Sequence, residues 1–211
     1  MSDPRPELRW STGRVEAFSD GVFAIAITLL VLEIHIDPED FDHLWRAIAD
    51  EWPSYLAYVT GFLTVGGVWL AHHRLFSHLR YIDPHLMRLN ILVLLVAAFL
   101  PFPTGLLAEA FDASRDAGRA AVVVYGVTAG CMEALMGAAW RYAATQPALL
   151  EGDAPPPRGA MQRHGIPAIA YGIAIVGGVL VFPRVGALLY LLVAARAVLF
   201  PAGELRLTLS S

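Results

Sequence analysis

The chain has 211 residues, of which 56% are hydrophobic and 16% are charged, and its formal net charge is −4. Its mean hydropathy of +0.54 lies well above that of soluble domains and predicts an integral membrane protein. The negative net charge excludes a nucleic-acid-binding protein on general grounds. The single cysteine, Cys131, excludes a disulfide within the chain.

The first apolar segment runs from Phe18 to Ile34 and carries a carboxylate near each end, Asp20 and Glu33. A helix of this length is just able to cross a hydrocarbon core of roughly 30 Å. No cleavage site of small residues follows the segment, which favours an uncleaved span over a signal peptide. Because a charged side chain is costly in lipid, Asp20 should face protein or water.

The helical period sorts this first segment into two faces. A rotation of about 100° per residue from Ile25 places Leu29 and Leu32 within about 40° of it. Thr28 flanks that apolar stripe, whereas Asp20 lies well round towards the opposite side. From periodicity alone the stripe is most simply interpreted as packing, and a pore wall is the alternative.

Five further apolar segments predict five more spans with short connections. The six predicted spans cover residues 18–34, 55–71, 89–107, 119–142, 166–182 and 185–200. Pro101 and Pro103 should kink the third span near its end, and the triple proline Pro155 to Pro157 predicts an exposed linker. The sequence thus predicts one all-α membrane domain of six helices over residues 1–211.

Arginine placement orients these spans, since the chain has no lysine. With the N-terminus inside, the inner segments carry ten arginines and the outer segments carry four. Both termini are therefore predicted to be cytoplasmic. The loop of residues 35–51 then lies outside, and its six carboxylates either concentrate cations near a mouth or form an ordinary solvated acidic loop.

The first span carries a long motif: Arg14, then Phe18-Ser19-Asp20, followed by the run Gly21-Val-Phe-Ala-Ile-Ala-Ile-Thr-Leu-Leu30. This motif and the six-helix plan resemble the transmembrane protein 175 family of endolysosomal potassium channels and their prokaryotic relatives. The resemblance implies a passive, potassium-preferring cation channel with no cofactor and no catalytic residue. A chain with one six-helix unit resembles the prokaryotic type, which implies a homotetramer in the lipid bilayer of a bacterial plasma membrane.

The resemblance also implies roles for the residues of the stripe. Ile25 matches the tightest constriction of the pore, and Leu29 and Leu32 match the next positions that face it. Thr28 matches a threonine layer implicated in potassium preference. Four copies of one helix face around an axis can form a pore wall, and narrow apolar rings gate ion flow by expelling water.

A second set of residues predicts a polar network at the inner ends of the first three spans. A buried carboxylate needs partners, and the predicted topology places all of these residues at one membrane depth. The set comprises Arg14, Ser19, Asp20, Trp69, His72, His73 and Asn90. The family has polar residues in comparable places, which implies structural or gating roles. For the histidines, an exposed basic surface at the headgroups is the alternative.

Other functions are less well supported by the sequence. The histidines lack the i, i+4 spacing and the cysteines of a metal site. The segment Thr64–Val68 superficially resembles a potassium-channel filter but lies within a continuous apolar run, where small residues favour close helix packing.

Glu133 and Arg196 are charges within predicted spans, and they should face protein, with each other as one possible pairing. The rival function is a proton-coupled secondary transporter that uses Asp20, Glu133 and the inner histidines as a relay. A membrane enzyme is a third alternative.

Overall fold

The computed structural model describes residues 10–110, 113–151, 158–180 and 182–199, with no side-chain description for residues 158–168. The predicted linker Pro155 to Pro157 and the terminal arginines used for orientation lie outside the described residues. Within these ranges the chain forms a bundle of α-helices joined by short turns. The helices are α1 (Thr12–Leu29), α2 (Leu44–Asp50), α3 (Trp52–Phe76), α4 (Pro84–Phe99), α5 (Pro101–Glu109), α6 (Arg115–Thr145), α7 (Arg158–Leu180) and α8 (Pro183–Leu199).

Local chemistry explains where several of these helices begin and end. The Asp83 side chain caps α4 by accepting a hydrogen bond from the Leu86 amide at 2.8 Å. The Ser114 hydroxyl caps α6 in the same way. The helix of the third span is interrupted at Leu100, directly before Pro101, where the sequence predicts a kink.

Four segments are long and apolar enough to cross a membrane: Thr12–Glu33, Trp52–Phe76, Pro84–Glu109 and Arg115–Thr145. All four begin before the predicted spans, and all but the first also end after them, because polar residues continue the helices past the apolar runs. The described apolar part of α7, Ile169–Leu180, is shorter, and α8 has 17 residues. The total of six spans stays a prediction.

Helix α1 packs against α3, α4 and α5, while α6 packs against α4, α7 and α8. Small residues allow the close approaches: a Cβ at Gly126 would lie 2.2 Å from the Tyr190 hydroxyl, and one at Gly67 would lie 3.0 Å from the Ala197 Cβ. Thr64–Val68 lies inside the continuous helix α3, so this segment is a packing surface and not a re-entrant filter.

Candidate pore helix and its polar anchor

Helix α1 presents an apolar stripe that no other part of the described chain covers. Ile25 is 61% exposed, Leu29 is 40% exposed and Leu32 is 69% exposed. Phe18, one to two turns earlier on the same side, is also exposed. The residues that bury the opposite side against the bundle are Val15, Ser19, Phe23, Ala26 and Leu30.

Thr28 lies beside the stripe and is exposed. Its hydroxyl donates a hydrogen bond to the Ile25 carbonyl at 2.9 Å. Since the hydroxyl proton points to the backbone, the oxygen keeps its acceptor lone pairs for a partner outside the helix.

The buried side of α1 is tied to α3 and α4 through Asn90. The Asn90 amide donates to the Ser19 hydroxyl at 3.1 Å, and the fully buried Ser19 donates to the Val15 carbonyl at 2.8 Å. The Asn90 Oδ1 is 2.9 Å from the His72 Nε2. An amide oxygen only accepts, so the His72 Nε2 is the donor. The network joins three helices through one amide.

The His72 ring lies in an aromatic setting. It stacks on Phe76 at a centroid distance of 4.0 Å and meets the edge of Phe23 at 5.4 Å. Its Nδ1 is buried and has no hydrogen-bond partner within the described ranges. The ring is therefore held by packing on one side and by Asn90 on the other.

Two further contacts join α1 to α3 at the same depth. The Trp69 indole donates to the Asp20 carboxylate at 2.8 Å. The His73 Nδ1 lies 2.9 Å from the Glu16 carboxylate, and the Trp69 and His73 rings stack at 6.0 Å. The sequence prediction did not include Glu16, although its position four residues before Asp20 places it on the same helix face.

Arg14 occupies a different position from the other predicted network residues. It is exposed and lines a cavity of about 520 Å³ together with Trp10 and Asn90. Among the described hydrogen bonds and ion pairs, none joins it to the six residues with which it was grouped. The structure thus brings Ser19, Asn90 and His72 into one chain of hydrogen bonds, with separate contacts for Asp20 and His73.

The other end of α1 is held by close packing. The helix tightens into a 3₁₀ turn at Leu30–Glu33. A Cβ at Gly61 would lie 3.0 Å from the Leu30 side chain, and one at Gly105 would lie 1.8 Å from the Glu33 carboxylate. A side-chain carbon at Gly105 would displace the Glu33 carboxylate, and one at Gly61 would crowd Leu30 and Thr104.

Among the described residues, the remaining charged and metal-binding side chains do not form a second site. Glu133 is buried in α6, whereas Arg196 is exposed on α8, and no ion pair in the described part of the chain joins them. His78 donates from Nδ1 to the Arg74 carbonyl at 2.6 Å, and His85 packs on Tyr142. No group of three His, Cys, Asp or Glu side chains in the described part of the chain could hold a metal ion.

The all-helical bundle, its four membrane-length apolar segments and the exposed apolar stripe define an all-α integral membrane protein. The family model described as the endosomal/lysosomal potassium channel TMEM175 matches residues 14–101, which include the motif, the stripe and all the network residues. The chain belongs to the TMEM175 family.

Relatives and solved structures agree with this assignment. A potassium channel from Streptomyces collinus is 42% identical over 167 residues, which cover 78% of this chain and 81% of that protein. The crystal structure of a lysosomal potassium-selective channel TMEM175 homologue from Chamaesiphon minutus has a TM-score of 0.73 and 33% identity, covering 88% of this chain and 97% of that one. The endosomal/lysosomal proton channel TMEM175 from Mus musculus is 45% identical over 100 residues, which cover 43% of this chain and 20% of that protein.

Proposed function

We propose that this protein is a potassium-preferring cation channel that conducts passively through a pore lined by α1. The observation that carries the proposal is the exposed apolar stripe of Ile25, Leu29 and Leu32, which lies opposite the face of α1 that packs into the bundle. Lipid would cover an apolar stripe, but the Thr28 hydroxyl beside it suits a water-filled or ion-filled space better. The Streptomyces collinus and Chamaesiphon minutus relatives are named as potassium channels, which supports the same function here.

A pore of this kind needs several copies of α1 around one axis. We propose a homotetramer, in which four Ile25 side chains form the tightest constriction and Leu29 and Leu32 form the next two rings. Each ring is apolar, so a narrow pore would gate by losing water at this level. The partners are then further copies of this chain, the lipid bilayer and the conducted potassium ion.

Thr28 is the proposed contributor to ion preference. Its oxygen retains acceptor lone pairs on the exposed side of α1, and oxygen ligands are what a potassium ion needs when it loses hydration water. Four such oxygens would form a polar layer between the Ile25 and Leu32 rings.

The polar contacts of Ser19, Asp20, Trp69, His72, His73 and Asn90 are proposed to anchor α1 and not to bind ions. Ser19, His72 and Asn90 are all buried inside the subunit, away from the exposed stripe. They fix the position of α1 against α3 and α4, and therefore the diameter of a pore lined by its other face. Exposed Arg14 would lie at the inner mouth.

We place the protein in the bacterial plasma membrane with both termini in the cytoplasm, as the arginine distribution predicts. The alternative of a proton-coupled transporter is less well supported. A relay needs Asp20, Glu133 and the histidines within hydrogen-bonding reach, whereas the described hydrogen bonds do not connect Glu133 to either. A passive channel also needs no nucleophile and no cofactor.

Recording of the purified full-length protein in planar bilayers, with potassium on one side and sodium on the other, tests this function. A channel gives ohmic single openings with a reversal potential shifted towards that of potassium. Saturable uptake that follows a pH gradient, without unitary currents, would instead establish a coupled transporter.

A further inference from the structure

The C-terminal end of α1 carries an acidic residue directly after the last residue of the proposed pore stripe. Glu33 follows Leu32, and in four copies its carboxylates could form a ring of negative charge at the mouth. The structure places them elsewhere, because a Cβ at Gly105 of α5 would lie 1.8 Å from the Glu33 Oε2 and 2.8 Å from its Cδ. The Glu33 side chain therefore lies against the backbone of α5.

The winding of the last turn accounts for this placement. In a continued α-helix Glu33 would lie about 40° from Leu29, on the flank of the exposed stripe. Residues Leu30–Glu33 instead form a 3₁₀ turn, in which residues i and i+3 eclipse. Glu33 therefore lies over Leu30, which is fully buried, and on the side that packs against α5.

Two contacts hold the turn in that position, and a buried hydrogen bond supports them. Leu30 packs against Gly61, where a Cβ would come within 3.0 Å of the Leu30 side chain and of the Thr104 hydroxyl. Thr104 is fully buried and bonds to the Leu100 carbonyl at 2.9 Å, which fixes the first turn of α5. Gly105 follows directly and leaves the space that Glu33 fills.

We propose that Gly105 and the Leu30–Glu33 turn form a seat that keeps the Glu33 carboxylate out of the ion path. The proposal rests on the proposed function, because α1 must line the pore for this position to matter. The seat makes Gly105 a positioning residue for conduction, although it touches no ion. A side chain at this position would push Glu33 off α5 and towards the flank of Leu29 and Leu32.

The displaced atoms are the far end of a flexible side chain, so Gly105→Ala should leave the fold intact. Its consequence is electrostatic: four carboxylates at the mouth attract cations and raise their local concentration. Salt screens this attraction, since the Debye length is about 30 Å at 0.01 M and about 3 Å at 1 M. The current of Gly105→Ala from the Glu33 side should therefore exceed that of the wild type severalfold at about 0.01 M salt and equal it at about 1 M.

Single-channel recording at both salt concentrations tests the seat, with four further variants of the full-length protein. Gly105→Ala with Glu33→Gln keeps the displaced shape and removes the charge, so its low-salt current should return to the wild-type value. Glu33→Gln alone should lower the low-salt current by less than about twofold, because the carboxylate of the wild type lies against α5 and farther from the ion path. Gly172→Ala is the matched control, since a Cβ there meets no atom within 4 Å.

Three results would overturn the seat: a low-salt increase that survives in the double variant, no increase in Gly105→Ala, or a severalfold loss of low-salt current in Glu33→Gln alone. The last result keeps the test decisive even if Gly105→Ala does not fold. Ile25→Asn, recorded in parallel, separates the two proposals. If it alters conductance while Gly105→Ala does not, only the seat is wrong, and if it has no effect either, α1 does not line the pore.

Discussion

Both faces of α1 carry apolar side chains, whereas a helix on the surface of a soluble protein is polar on its exposed face. The face that packs into the bundle contains a fully buried serine bonded to Asn90, whereas the face without a partner exposes Ile25 and Leu32. In water an exposed apolar stripe of this length would favour aggregation. In a membrane assembly such a stripe can line a pore, provided that other copies of the chain surround the same axis.

The two faces of α1 therefore have different proposed roles. Hydrogen bonds on the buried face join α1 to α3 and α4, and the apolar side chains of the exposed face line the ion path in the proposed function. Changes on the exposed face should therefore alter conduction with little effect on stability. Changes on the buried face should first lower stability.

The largest effect is expected from Ile25→Asn on the exposed face. A polar side chain keeps water in the narrowest ring, and a barrier lowered by about 1.4 kcal/mol raises the single-channel conductance about tenfold. Conductance in planar bilayers measures this, with Ile25→Leu as an apolar control that should stay near the wild type. Equal conductance in all three proteins would contradict the constriction at Ile25.

On the buried face, Asn90→Ala should lower the free energy of unfolding by about 1–3 kcal/mol, because Ser19 and His72 each lose a buried partner. Chemical unfolding in detergent micelles, followed by tryptophan fluorescence, measures the loss. Thr145→Ala removes an exposed hydroxyl that bonds to the Tyr142 carbonyl and serves as the control. A loss no larger than that of the control would mean that the Asn90 network does not hold α1.

Thr28→Val tests whether the exposed face also selects ions. The substitution keeps the shape and removes the oxygen, so openings should persist while the potassium preference over sodium falls by roughly fivefold, equivalent to about 1 kcal/mol. The reversal potential under potassium on one side and sodium on the other reports the change. An unchanged reversal potential would mean that residues other than Thr28 determine the ion preference.

The smallest effect is expected at the edge between the two faces. Glu16 and His73 form a partly exposed pair, with side-chain exposures of 26% and 56%, and such pairs contribute about 0.2–1 kcal/mol. Glu16→Gln should therefore lower the free energy of unfolding by less than 1 kcal/mol. A loss as large as that of Asn90→Ala would show that this pair is a main anchor.

The sequence predicted the two faces of α1 because the helical period alone decides which side chains share a side. It also predicted that Asn90 and His72 lie at one depth, since the order of spans alternates their direction. The sequence could not predict contacts that depend on how far a side chain reaches. Arg14, which was grouped with the network, is exposed, and His73 pairs with Glu16, which was not in that group. The contact between Gly105 and Glu33 could not be predicted either, because the sequence does not show which side chain from another segment occupies the space beside a glycine.

Modification of single cysteines along α1 tests most directly whether this helix lines the pore. Cys131 is exposed, so the background is Cys131→Ala, and a charged thiol reagent is applied while current is recorded. If α1 lines the pore, Ile25→Cys and Leu32→Cys lose current on modification, whereas Val127→Cys, exposed on α6, does not. Block at Val127→Cys with no block on α1 would show that α1 does not line the pore and would place the ion path on another face of the bundle.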